Sequence, residues 1–234
     1  MDIKAFEDLI LSELKKVTEK IISKNPKPNI SAKSRAGAEI SSLLEEEFVK
    51  ETANHTFFKD SKASPDGETK NPWDALTYFE YKNHKELIWI DFKAVKKSSK
   101  GSNPDIGAAD KLIKLITNNN GFYLVYIFVY YNQTDSGLEF VTNNNGQKVK
   151  LYFLKDIHSS FRRNTKNQLQ INIDKEPQNR TRQEFIEILL DKIIQGYTRQ
   201  KNIAEKELKK YAQVKIKSDL TKLNQEQEDK IKNL

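Results

Sequence analysis

The sequence predicts an α/β fold: a mixed central β-sheet flanked by helices, with a long helix at the C-terminal end. Three observations carry this. Hydrophobic periodicity changes along the chain in the order helix, helix, strand, strand, helix, strand, strands, helix. Residues 121–131 are almost wholly apolar, Phe122-Tyr123-Leu124-Val125-Tyr126-Ile127-Phe128-Val129, as in a strand buried on both faces. No glycine-rich fingerprint follows a strand, which argues against a dinucleotide-binding domain.

The elements follow in order. Residues 2–23 place Ile3, Phe6, Ile10, Leu14, Val17 and Ile21 on one helical face, and Asn25-Pro26-Lys27-Pro28 ends the helix. A second helix, about 34–51, carries Ala36, Ile40, Leu43, Leu44 and Phe48. Residues 59–71 are polar, contain Pro65 and Gly67, and read as a surface loop. Strands are expected at 74–81 and 86–94, with a turn centred on Asn83-His84. Asn103 is placed to cap a helix that has Pro104 at its first position and runs to about Thr117. Strands at 138–142 and 147–154 flank a turn at Asn143-Asn144-Asn145-Gly146, and a short strand is expected at 168–173. Thr181 and Glu184 form a capping box that opens the last helix, packed through Phe185, Ile188, Leu189, Ile193 and Tyr197. Residues 1–200 are therefore expected to form one domain, with its core at about 34–175, and 201–234 a charged tail, helical or partly disordered.

Composition excludes several classes. The 234 residues include no cysteine, so disulfides and thiolate–zinc sites are out. The three histidines are far apart, so any metal would be oxygen-bound, which favours magnesium or a similar hard cation. The N-terminal stretch is too charged for a signal peptide, and the longest apolar run is too short to span a bilayer. A soluble, cytoplasmic protein with no membrane partner is expected. The formal charge of +7, from 40 basic and 33 acidic residues, permits an anionic partner without requiring one.

The chemistry concentrates in Asn71-Pro72-Trp73-Asp74 and Ile88-Trp89-Ile90-Asp91-Phe92-Lys93-Ala94. Alternate residues of a strand share a face, so Asp91 and Lys93 point together while Ile88, Ile90 and Phe92 point into a core. Folding the hairpin about Asn83-His84 makes opposed residue numbers sum to about 167, which sets Asp74 against Lys93. The three side chains should converge. Two nearby carboxylates repel unless a cation lies between them. Asp74, Asp91 and the Phe92 carbonyl would hold magnesium, with manganese as a substitute. Lys93 would orient water or stabilise charge developing on a phosphate. The bland alternative is a solvated polar face with a surface ion pair.

Glu39, at the edge of the apolar stripe of the second helix, is a further candidate, with Glu46 as the alternative. A lysine- and serine-rich loop follows the strand, and Lys96, Lys97, Lys100, Ser102 and Asn103 are expected to contact nucleic acid. Arg162 and Arg163 could contact phosphate.

Asp74, Asp91-Phe92-Lys93 and a preceding helical glutamate resemble the PD-(D/E)xK nuclease motif, although Trp73 separates the proline from the aspartate. With Ser34-Arg35-Ala36-Gly37-Ala38-Glu39, Lys70-Asn71-Pro72-Trp73-Asp74-Ala75 and Ser102-Asn103-Pro104-Asp105-Ile106-Gly107, they look together like the SwaI family of type II restriction endonucleases. The resemblance covers roughly residues 29–182. It implies a homodimer cutting double-stranded DNA at a palindromic, A/T-rich site with magnesium, leaving 5′-phosphates and blunt ends. A separate cognate DNA methyltransferase is a possible partner. It makes Asp74 and Asp91 metal ligands, Lys93 the catalytic lysine and Glu39 a further catalytic residue. The rival readings are a repair or recombination nuclease without sequence specificity, and a non-catalytic DNA-binding protein.

Overall fold

A computed structural model of the chain describes residues 2–30, 35–65, 71–97, 104–119, 122–134, 137–217 and 220–233. Its elements are α1 (Ile3–Lys24), α2 (Ala36–Thr52), β1 (Phe58–Ala63), β2 (Ala75–Tyr81), β3 (His84–Lys96), β4 (Asp105–Ala108), α3 (Ala109–Asn118), β5 (Leu124–Thr134), β6 (Gly137–Val141), β7 (Val149–Phe153), β8 (Arg162–Arg163), β9 (Gln168–Gln170), α4 (Arg182–Lys217) and α5 (Leu220–Lys232). The main sheet runs β1-β2-β3-β5-β6, with β7 also on β5, and β4-β9-β8 form a small second sheet. The pair β3–β5 is parallel and its neighbours are antiparallel, so the sheet is mixed, as the sequence predicts.

Each face of the sheet carries its own core. Ile88, Ile90 and Phe92 of β3 and Val125, Ile127 and Val129 of β5 pack under α1 and α2. Trp89, Tyr126 and Phe128 face the other way, against α3, β9 and the start of α4. This double cover explains the unbroken apolar run of β5, whose first eight residues are all buried.

Four expectations are corrected. The span expected to be a loop contains β1, an edge strand whose polar residues Lys59, Asp60, Ser61 and Lys62 hide it from a hydrophobic pattern, while Ser61 Oγ donates to Thr77 Oγ1 and accepts from Thr52 Oγ1, both at 2.8 Å. A bulge at Asp60, with φ 53°, further breaks the alternation. The β2–β3 turn is Lys82-Asn83, since Tyr81 pairs with His84 and Lys82 takes φ 55°. Pro104 opens no helix. Asp105–Ala108 form β4, the Ile106 carbonyl accepts the buried Tyr126 hydroxyl at 2.8 Å, and Gly107 holds φ 140°, which a helix cannot use; α3 starts at Ala109. Finally, β6 and β7 form no hairpin with each other; they lie end to end on one edge of β5, against residues 130–134 and 125–129. The short strand at 168–173 is confined to β9.

The capping box is present as expected: Glu184 Oε2 accepts the Thr181 N–H at 2.7 Å, and Thr181 Oγ1 accepts the Glu184 N–H at 3.2 Å. Among the described residues, no helix is long and apolar enough to cross a membrane.

Candidate active site

The site is built where β2 begins opposite the middle of β3. Ala75 lies across from Ile90, so Asp74 falls opposite Asp91, two positions from the register expected from the sequence. An even shift preserves which face each side chain takes, and the aspartates still meet. The Asp74 N–H donates to the Ile90 carbonyl at 2.8 Å, and its Oδ2 accepts the Phe92 N–H at 2.8 Å. The backbone of β3 therefore fixes this carboxylate and leaves Oδ1 uncommitted to that bond.

Asp91 is 4% exposed, on the face that carries Trp89 and Tyr126. Lys93 Nζ lies 2.5 Å from its Oδ1. That contact lacks hydrogen-bond alignment, and among the described residues Asp91 Oδ1 is the one buried side-chain oxygen or nitrogen without a hydrogen bond. Burial, together with the Asp74 charge, pushes the Asp91 carboxyl up to about 7 against the pull of Lys93. Burial also raises Asp74, again opposed by Lys93. Burial works to lower the Lys93 ammonium, but its attraction to Asp91 outweighs this and holds it above the usual lysine value. Two crowded carboxylates with a single ammonium against one of them make an electron-rich pocket. The residues fit a hard divalent cation, which takes one or two carboxylates and keeps positions for water and phosphate. No group of three or more histidine, aspartate or glutamate side chains is gathered for metal among the described residues.

The supporting residues differ from those read from the sequence. Ser41 Oγ on α2 donates to the Phe92 carbonyl at 3.0 Å. Glu45, one turn on, accepts the Ser64 N–H at 2.6 Å, and the same N–H reaches the Asp74 carbonyl at 2.7 Å. Glu39 is exposed and, two positions before Ser41, sits about 160° around the helix from that contact. Glu46 is exposed as well. Ser41 and Glu45 thus bond the backbone near the aspartates, at Phe92 and Ser64, while Glu39 and Glu46 are exposed. The signal in the sequence was the 4-residue step Gly37-Ser41-Glu45, small or polar beside the apolar stripe. Tyr126, opposite Asp91 in the parallel ladder, also escaped notice because it reads as core.

Of the expected DNA contacts, Lys96 closes β3 with Nζ 3.1 Å from Gln133 Oε1, and Lys97 follows, exposed. Lys100, Ser102 and Asn103 lie outside the described residues. Arg162 is exposed on β8. Arg163 is buried: its guanidinium donates to Asn167 Oδ1 and Gln200 Oε1, both at 2.8 Å, and stacks 3.8 Å from the Tyr197 ring centre. Its donors serve the seat of α4.

The family model described as SwaI-like, SwaI restriction endonuclease, matches residues 2–211. Among solved structures, the NlaIV restriction endonuclease aligns with 17% identity and a TM-score of 0.48 over 84% of this chain and 81% of its own. A comparison with curated proteins finds no match.

Proposed function

Because the chain belongs to the SwaI-like restriction endonuclease family, and so to the DNA hydrolases, we propose that it is a type II enzyme that cuts duplex DNA as a homodimer. The target in this reading is a palindromic, A/T-rich site, cut to blunt ends with 5′-phosphates. The observation that carries it is Asp74 facing Asp91, with Lys93 Nζ 2.5 Å from the buried Asp91 Oδ1.

Asp74, Asp91 and the Phe92 carbonyl would hold Mg2+, or Mn2+ in its place. When bound, such an ion neutralises the paired carboxylates and polarises a phosphoryl oxygen. The chain's own groups do the rest. The Phe92 N–H locks the Asp74 carboxylate before substrate arrives, so no reorganisation is needed during reaction. Ser41 fixes the direction of the Phe92 carbonyl while leaving its second lone pair open. Trp89 and Tyr126 exclude water from the inner side of Asp91. Lys93, partly exposed at the mouth, orients the attacking water or stabilises charge developing on the phosphate. Lys96 and Lys97, at the exit of β3, would steady the DNA backbone with Lys100, Ser102 and Asn103 of the following loop, and Arg162 adds a second basic point. Cytoplasmic location and a separate methyltransferase partner belong to the same reading.

Incubating plasmid DNA with the protein and magnesium tests this. Discrete fragments that vanish in excess chelator and with Asp91→Asn are expected. A smear would replace the site-specific reading with a general nuclease. Binding without any cutting in magnesium or manganese would overturn catalysis.

A further inference from the structure

Helix α4 leaves the body of the protein with an apolar stripe that the described residues leave largely exposed. From residue 201 onward, every described side chain of α4 is exposed. In folded proteins most of a helix's stability comes from packing an apolar face. Five of the seven exposed large apolar residues described in α4 are also ordered, with Ile203 and Val214 lying off their line. Leu190, Ile194, Tyr197, Leu208 and Tyr211 follow a 4-3-4-3 spacing that Lys201 and Ala204 complete, which is the seam of a two-helix coil. Leu208 and Tyr211 are 68% and 66% exposed.

We propose that this stripe docks on the same stripe of a second copy of the chain, as an antiparallel helix pair centred between Asn202 and Ile203. The charge pattern selects the occupant and its direction. In the antiparallel register, Ile194 meets Tyr211 of the other copy, Tyr197 meets Leu208, and Lys201 lies over the small Ala204. Glu205 then falls near Thr198, and Glu207 near Gln200, so no like charges are opposed. A parallel pair would place Lys201 against Lys201 at the centre of the seam. The antiparallel arrangement is isologous, the kind of contact a two-fold dimer requires. Arg163 steadies the root of the helix by stacking on Tyr197 and bonding Gln200. A single paired seam about 26 Å long, from Ile194 to Tyr211, is at the low end of specific interfaces, so one charge should break it.

This surface rests on the homodimer reading above, but its test needs neither DNA nor catalysis. Sedimentation of the full chain should show a dimer that Leu208→Asp weakens at least tenfold and Lys201→Leu tightens at least tenfold. Leu208 is 68% exposed, so circular dichroism of Leu208→Asp should stay unchanged. The chain has no cysteine, so a spin label on Ala212→Cys is unique. Two such labels should lie about 28 Å apart in the antiparallel pair and about 10 Å apart in a parallel one. A monomeric wild type, an unweakened Leu208→Asp dimer or the short label distance would each overturn the proposal. A protein that cuts plasmid DNA while its Leu208→Asp variant still dimerises would remove the helix seam and leave the nuclease reading intact.

Discussion

At the scale of single residues, Asp91 sets function against stability. Its carboxyl, raised from 3.8 to about 7, keeps its proton in the folded metal-free protein at a pH where the unfolded chain has lost it. That preference stabilises the fold fully below about pH 4 and is lost as pH rises to about 7, at roughly 1.4 kcal/mol per pH unit. Asp91→Asn should therefore flatten the fall in melting temperature between pH 5 and 8, measured in chelator, and melt higher than wild type at pH 8. The same substitution, Asp74→Asn and Lys93→Ala should each reduce cleavage by about 100-fold or more, judged from single electrostatic contributions to catalysis. Normal turnover by Lys93→Ala would reduce it to an ion-pair partner. Asp91 and Lys93 were legible because strand alternation is a rigid rule, and the register error of two left every face unchanged. The helical partner was not, because Glu39, Ser41, Glu45 and Glu46 all border the apolar stripe of α2. Only the sheet shows which flank it meets.

At the scale of elements, the errors of reading share a cause. β1 and β4 are held by backbone ladders and by one buried side chain each, Phe58 and Ile106, so neither announces itself through hydrophobicity. By contrast β5, α1 and the start of α4 carry their packing faces openly. The seat of α4 depends on a close approach that sequence does not disclose. A Cβ on Gly196 would lie 3.0 Å from the Arg163 Cβ. The Arg163 guanidinium is pinned on three partners and cannot yield freely. Gly196→Ala should consequently cost about 1–3 kcal/mol, despite its better helix propensity. Urea denaturation would show a lower midpoint, and an unchanged or higher midpoint would mean that β8 simply shifts.

At the scale of the molecule, a buried ionic knot joins the two ends of the fold. Lys155 Nζ lies 3.0 Å from Glu7 Oε2 on α1 and 2.9 Å from Asp156 Oδ1, and donates to the Arg180 carbonyl just before α4 at 2.8 Å. Removing the lysine would strand two buried carboxylates, so Lys155→Ala should cost about 3–5 kcal/mol. Lys4→Ala, which breaks an exposed pair with Asp8, should cost about 1 kcal/mol or less. Calorimetry of the two variants separates these cases. At the exit of β3, removing Lys96 and Lys97 together should lower the slope of log affinity against log salt by about 2, on cognate and random duplexes alike. An unchanged slope would place the DNA elsewhere.

The parallel pairing of β3 with β5 has a consequence in time. Asp74, Asp91 and Lys93 leave the ribosome on adjacent strands, but the strand that walls in Asp91 from the other side begins only at Leu124. At synthesis rates of about 5–20 residues per second, those 33 residues take about 2–7 s. Through that interval both carboxylates face water, where they ionise independently and hold a cation weakly. In the proposed reading, a nascent chain therefore carries Asp74, Asp91 and Lys93 for seconds before the strand that completes their surroundings exists.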